Sequence, residues 1–327
     1  MKRALQLSSF GAPMVSPNPY VGAVIMAEGR IIGEGYHRLY GEAHAEVNAI
    51  ASVKDADRPL LSKSTMYVTL EPCSHFGKTP PCADLIICTG IPHVVVAAED
   101  PFLKDYESGI DRMRRAGVEV EVGLLRDEAR WINRRFFTAH ERKRPYVLLK
   151  WAQSADGFIA LPDGKPVKLS SDFTSVLMHR ERALYDAILV GTDTILNDHP
   201  RLDCRLWPVR DPEHRPLKVT FDSKRLPTGA ADGFIMKPPE EALPEFLHRL
   251  YEEHKVTSLM VEGGAKTIES FIQAGIYDEI RVETSSRNLL AGIPSPFLPQ
   301  NEVIELSREI YGNNLITCYG HHFNVKG

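Results

Sequence analysis

Cysteine, tryptophan and charge of one sign are all scarce in this sequence. Of 327 residues five are cysteine and three tryptophan, and the net charge is −4. An odd number of cysteines spread along so long a chain argues against a disulfide framework. The weak negative balance gives no support to nucleic-acid binding over a broad face, while leaving room for a local basic pocket that holds a phosphate. No apolar run approaches the roughly 18 residues of a membrane span. The start, MKRALQLSSFGAPM, lacks the apolar core of about 7–15 residues that marks a signal peptide. A cytoplasmic chain with no membrane partner is therefore expected. Both a GxGxxG dinucleotide fingerprint and a P-loop are missing as well.

What is present is ordinary globular material, 43% hydrophobic and 25% charged, in a chain long enough for two cores. From Asn18 to about Val122, short β-branched runs such as TMYVTL and HVVVAA alternate with helical spacing such as AHAEVNAIASV. VGAVIMAEGRIIGEGYH reads as a hairpin turning at Glu28-Gly29, and a helix ending at Gly117 leads into a further strand. Near residue 144 a charged helix is stopped by Pro145, and YVLLKWA opens a second alternating series. Two α/β domains, 1–143 and 144–327, are expected. The stretch from Thr228 to Pro244, with its several Pro and Gly residues, reads as loop. Cys88, Cys204 and Cys318 have no partner spacing and read as small buried hydrophobes.

The chemistry starts at EAHAEVNA and LEPCSHFGKTPPC. His-x-Glu followed by Pro-Cys and a further Cys is the zinc nucleobase-deaminase pattern, in which the Glu is not a ligand. Displacing an amino group from a heteroaromatic ring needs a strong nucleophile at neutral pH. Zinc on three protein ligands leaves a fourth position for water, and an adjacent carboxylate handles the protons. His44, Cys73 and Cys82 are the expected ligands of one zinc, with Glu46 as the catalytic proton carrier. Two residues apart in mid-helix point to nearly opposite sides, so His44 and Glu46 belong in a first turn. Eight residues separate the two cysteines, more than a compact zinc site uses. His75 lies between them as a rival ligand, but four protein ligands would close the site, so His75 is expected off the metal. Farther on, SLMVEGGAKTIESF places a Gly263-Gly264 pair between a strand and a helix. Backbone N–H groups at such a helix start are able to hold a phosphate.

The motifs SPNPYVGAVI, GEAHAEVNAI, YVTLEPCSHFGKTPPC and VVVAAEDP resemble the RibD family of bifunctional riboflavin-biosynthesis deaminase/reductases. The likeness continues through LLKWAQSADGFIA, RALYDAILVGTDTILNDHPRLDCR and VEGGAKTIESFI, so it covers nearly the whole chain. The resemblance implies a cytidine-deaminase-like three-layer αβα domain followed by a dihydrofolate-reductase-like α/β domain. It implies zinc-dependent deamination of 2,5-diamino-6-ribosylamino-4(3H)-pyrimidinone 5′-phosphate, then NADPH-dependent reduction of the ribosyl group. For the first site it implies that Asn18 holds the pyrimidine, and Lys78 and Thr79 fit a polar loop over the phosphorylated substrate. For the second it implies substrate contacts at Arg182, Leu202, Arg205 and Glu262. Cofactor contacts follow at Gln153, Thr194, Asp198, Ser223, Gly264, Ala265, Lys266 and Thr267, and Lys150 and Asp156 are further candidates. Many family members carry Ser-x-Trp where this chain has Pro166-Val167-Lys168, and no contact is transferred there. The stretch between Ser223 and Lys255 is shorter than usual, so a strand or loop flanking the cofactor is expected to be reduced. A homo-oligomer, dimer or tetramer, built through the reductase domain is also implied.

One alternative stays open on sequence alone: a deaminase whose C-terminal domain only binds or oligomerises. A nucleic-acid deaminase would need a basic, aromatic-lined channel, and 8% aromatics with a net negative charge speak against it.

Overall fold

A two-residue hairpin turn fits the twist of its strands when both central residues take positive φ, and Glu28 and Gly29 do so at 51° and 75°. They join β1 (Gly22–Ala27) to β2 (Arg30–Tyr36) in antiparallel register, Gly22 facing Tyr36. The computed structural model describes residues 1–76, 80–102, 107–165, 167–209, 215–221 and 226–321. It divides into two units, Met1–Arg142 and Lys143–Gly327.

In the first unit β1 also pairs antiparallel with β3 (Thr65–Leu70), and β4 (His93–Ala98) and β5 (Glu119–Val122) continue parallel to β3. The order is β2-β1-β3-β4-β5. Strand side chains alternate between faces, and the core divides accordingly. Val94 and Val96 pack with Ala45 and Ala49 of α2 (Ala45–Ala51), Ile86 of α3 (Cys82–Thr89) and Met113 of α4 (Gly109–Arg115). Ala97 packs on the opposite side with Leu5 of α1 (Lys2–Ser8), Ala129 of α5 (Arg126–Ile132) and Phe137 of α6 (Arg134–Arg142). The result is three layers, helix on sheet on helix.

The second unit repeats the plan around an eight-stranded sheet. Its parallel centre is β6 (Tyr146–Gln153), β8 (Ala187–Val190), β9 (Leu217–Phe221), β11 (Ser258–Glu262) and β12 (Glu279–Ser285). A small ribbon pairs β7 (Phe158–Ala160) with β13 (Ile293–Pro294). The antiparallel hairpin β14 (Val303–Tyr311) and β15 (Asn314–His321) closes one edge and β10 (Phe234–Lys237) the other, giving the order β10-β9-β8-β11-β6-β12-β15-β14. Val147, Leu149 and Val261 face α9 (Leu243–Glu252) and α10 (Ala265–Gln273). Leu148, Ile188 and Met260 face Met178 of α7 (Asp172–Arg182) and Ile195 of α8 (Thr192–Asp198). Central strands buried on both faces read as continuous apolar runs, as AILV of β8 and the LMV centre of β11 do.

Two expectations need correction. The Pro- and Gly-rich stretch from Thr228 to Pro244 is not all loop. Phe234–Lys237 forms β10, parallel to β9, and α9 opens at Leu243 with a proline in its first turn. Four apolar-leaning residues hemmed in by turn formers give too short a period to detect, and pairing with β9 supplies what local pattern does not. The short stretch between Ser223 and Lys255 thus still yields a strand and a helix. Second, Cys88 is exposed, whereas Cys204 is buried and Cys318 lies between. Cys88 stands at the solvent side of α3, near its C-terminal Thr89.

Candidate active sites

The first site is built where α2 begins. Gly33 and Gly35 let that helix lie directly on β2, since a Cβ on either would stand 2.5 Å and 2.3 Å from backbone atoms of Ala49. His44 takes extended backbone (φ −72°, ψ 170°) as the residue capping α2, and Glu46 falls in its first turn. Cys73 follows the end of β3, and Cys82 is the first residue of α3. The two are held together by Ala83 N donating to Cys73 O at 3.1 Å and Cys82 N to Cys73 Sγ at 3.3 Å.

His44 Nδ1 stands 3.6 Å from Cys73 Sγ and 3.4 Å from Cys82 Sγ. The three donor atoms lie within 4.8 Å of one another, while His75 and Glu46 stay outside the cluster. Two thiolates and an imidazole are a zinc donor set, so these residues fit a zinc ion. The sulfurs share a proton unequally: their mutual hydrogen bond, helped by His44, draws the Cys73 thiol down to about 4 and pushes Cys82 up. With that proton lost, Cys73 and Cys82 would both hold a divalent cation as thiolates. Glu46 is 3% exposed. Burial first, then the Cys73 charge, pushes its carboxyl up to about 7, a value suited to taking and returning a proton near neutrality.

Asn18 sits half-buried with its Nδ2 3.0 Å from His37 Nε2. Lys78 and Thr79 lie outside the described residues. Sequence reasoning passed over Glu71, although it stands in the same LEPC motif. Its buried carboxylate accepts from Ser108 Oγ at 2.6 Å, Ile110 N at 3.2 Å and Asp100 N at 3.2 Å, pinning the end of β3 just before Cys73. His37 and Asn133 were missed too, and no local signal marks either.

The second site is a cavity of about 700 Å³ in the second unit. Of the expected substrate residues it is lined by Arg182, Leu202 and Glu262; of the expected cofactor residues, by Thr194, Asp198, Gly264, Ala265, Lys266 and Thr267. Lys150 lines it as well. Arg182 forks onto Glu262, Nε to Oε1 at 2.7 Å and Nη2 to Oε2 at 2.8 Å, and Nη1 reaches Asp203 O at 3.2 Å. Burial alone would raise Glu262, but the charge and hydrogen bonds of Arg182 outweigh it and hold the carboxyl below its usual range. Lys150 pairs in register with Glu262 on the neighbouring strand. Burial lowers its ammonium pKa, against the opposing pull of Glu262. Gly263 and Gly264 take φ 112° and 59°, and a Cβ on Gly263 would stand 2.9 Å from Thr194 Oγ1. The turn thus brings bare backbone to the cavity at the start of α10.

Two expected positions, Arg205 and Gln153, are not among the described residues that line it. Arg205 is exposed, its guanidinium bound to Asp203, and it does not line the cavity. A carboxylate two residues away captures it locally. Gln153, at the end of β6, is engaged by the Trp151 indole at 2.8 Å and reaches Thr284 Oγ1 at 3.4 Å, also off the cavity wall. Ser223 lies outside the described residues. Asp156 serves as a loop clamp, accepting from Leu289 N at 3.1 Å and Leu290 N at 2.7 Å.

Residues 1–98 match the cytidine and deoxycytidylate deaminase zinc-binding region, and residues 145–287 match the RibD C-terminal domain. The riboflavin biosynthesis protein RibD of Aquifex aeolicus is 38% identical over 308 residues, covering 86% of this chain and 85% of that protein. This chain belongs to the RibD family. Its members are bifunctional deaminase/reductases of riboflavin biosynthesis, and the α/β reading of both halves holds. The RibD of Escherichia coli strain K12 is 33% identical over 318 residues, 86% of this chain and 85% of that protein. Among solved structures, a Thermotoga maritima diaminohydroxyphosphoribosylaminopyrimidine deaminase/5-amino-6-(5-phosphoribosylamino)uracil reductase aligns with a TM-score of 0.86 at 33% identity, over 98% of this chain and 97% of its own. Form 1 of Acinetobacter baumannii RibD aligns with a TM-score of 0.89 at 28% identity, over 98% and 97%.

Proposed function

We propose that the unit spanning residues 1–142 deaminates 2,5-diamino-6-ribosylamino-4(3H)-pyrimidinone 5′-phosphate. The unit that follows then reduces the product's ribosyl group to give 5-amino-6-(5-phosphoribitylamino)uracil. The observation that carries the first half is the convergence of His44, Cys73 and Cys82 beside a buried Glu46 outside their cluster. Zinc held by the three supplies the Lewis acidity that makes water a nucleophile at neutral pH. Glu46 takes a proton from the attacking water and delivers protons to the ring nitrogen and the departing ammonia. Asn18 holds the pyrimidine ring at the site's wall. Lys78 and Thr79 remain proposed phosphate contacts on the strength of the family resemblance.

In the second unit the combination of an Arg182–Glu262 pair, a half-buried Lys150 and an open Gly-Gly turn in one cavity supports catalysis over a merely binding domain. NADPH supplies the hydride. Gly264, Ala265, Lys266 and Thr267 present backbone N–H groups and a cation to its phosphates at the start of α10. Arg182 and Glu262 hold the substrate's polar groups and one another's charge, Leu202 walls its pocket, and Thr194 and Asp198 stand on the cofactor side. Arg205, Gln153 and Ser223 keep only the support of the family resemblance.

Among the described residues no helix is long and apolar enough to cross a membrane, and we read the enzyme as cytoplasmic. Assembly through the second unit is supported by β14, the edge strand of its sheet, where Ile310 is 76% exposed; such edges are usually covered. The deciding experiment is coupled: ammonia and NADP⁺ are measured from one purified chain supplied with the pyrimidine substrate and NADPH. Release of both supports the reading. Ammonia without NADP⁺, together with no NADPH binding, overturns the reductase half.

A further inference from the structure

The stretch that carries Asn18 has no helix or strand between Ala12 and Val21, so something else must fix the side chain that meets the pyrimidine. Its backbone is tied once from within, Asn18 N to Val15 O at 2.8 Å. Near the start of the stretch Tyr40 N donates to Met14 O at 3.0 Å, and the ties that flank Asn18 come from two residues far away in sequence.

The first is His37, 2% exposed, at the end of the β2 hairpin. Its Nδ1 stands 3.1 Å from Ala43 O, and its Nε2 stands 3.0 Å from Asn18 Nδ2. A carbonyl oxygen only accepts, so Nδ1 carries the proton. In the neutral ring Nε2 is then an acceptor. Only the amide nitrogen of Asn18 can satisfy it, so Asn18's orientation is set by chemistry: Nδ2 is committed to His37, and Oδ1 is the end left for a ligand. His37 N also donates to Val21 O at 2.9 Å, tying the same stretch by backbone. Because Ala43 directly precedes His44, the ring that aims Asn18 is anchored to the segment that presents the metal ligand.

The second is Asn133, 3% exposed, between α5 and α6. Its Oδ1 accepts from Tyr20 N at 2.7 Å and its Nδ2 donates to Tyr20 O at 2.8 Å. One side-chain amide thus satisfies both backbone groups of the residue two beyond Asn18, as a neighbouring strand would.

We propose that His37 and Asn133 are positioning residues forming a two-point clamp that holds Asn18 with its amide oxygen toward the substrate. The clamp makes the deaminase selective for rings that present an N–H donor there. This rests on Asn18 meeting the pyrimidine, as proposed above.

The test is a double-mutant cycle on ammonia release, with zinc per chain and the NADPH-dependent reduction of deaminated product by the same chain as controls. Displacing a substrate-contacting group by about 1 Å costs on the order of 10²-fold. His37→Ala and Asn133→Ala are each expected to lower deaminase kcat/KM by about that factor, with zinc and reductase turnover kept. In an Asn18→Ala background neither is expected to add a further loss, because each acts through Asn18. His37→Gln, whose amide oxygen accepts from Asn18 Nδ2, is expected to recover part of the activity. If His37→Ala or Asn133→Ala does not fold, His37→Gln and Asn133→Asp, which keeps the acceptor for Tyr20 N, carry the same cycle. Multiplicative losses in the Asn18→Ala background, loss of zinc, or full activity of the single variants overturns the clamp. Full activity of Asn18→Ala removes Asn18 as a substrate contact and the clamp with it, while the zinc and Glu46 reading stands or falls on Glu46→Gln.

Discussion

The two sites of this chain are made in opposite ways. In the first, the start of α2, the end of β3 and the start of α3 bring three metal-ligating side chains, His44, Cys73 and Cys82, within 4.8 Å of one another. In the second, Lys150, Arg182, Leu202 and Glu262 come from separate strands, helices and loops, and they meet only because parallel strands align their ends. A site gathered around one ion tolerates flexible surroundings, since the ion itself organises its ligands. A site gathered by packing depends on the sheet, and its buried charges must find each other within the protein.

The comparison breaks most sharply on metal removal. Stripping zinc with a strong chelator, or Cys82→Ser, is expected to abolish ammonia release while NADPH-dependent reduction of deaminated product continues unchanged. Loss of both activities would show that the second unit depends on the metal. Next in size, Glu46→Gln is expected to cut deaminase kcat by about 10²–10⁴-fold, with about one zinc per chain still bound by elemental analysis; missing zinc would make Glu46 a ligand. On the other side, Glu262→Ala leaves the Arg182 guanidinium buried without its carboxylate. Breaking such a pair costs about 3–5 kcal/mol, expected as an earlier urea transition and loss of the reductase, with ammonia release intact at low denaturant. Gly263→Ala, at φ 112° and facing Thr194, is expected to cost about 1–3 kcal/mol and to raise the KM for NADPH more than it lowers kcat. The smallest effect is Cys88→Ser: an exposed cysteine that is expected to leave zinc stoichiometry and both activities unchanged.

How much was legible follows the same division. His44, Glu46, Cys73 and Cys82 were readable because the ligands' residue types and order are dictated by zinc chemistry, and His75 was set aside because a fourth ligand would close the site. Arg182 and Glu262 were named, but their bidentate pairing was not, since α7 and β11 meet only in the folded sheet. Arg205 was named as well, but its ion pair with Asp203 was not. β10 was hidden among turn formers and exists because β9 offers it a partner.

The sequence by itself determined the alternation of strands and helices and the residue types that a zinc donor set and a neighbouring carboxylate require. Those rest on periodicity and on the valence of side chains, which do not depend on distant neighbours. Only the tertiary structure decided which way Asn18 faces, what holds it, and which charges share the second cavity. Hydrogen bonds such as Asn133 to Tyr20 span 113 residues, and no local pattern encodes a partner that far away.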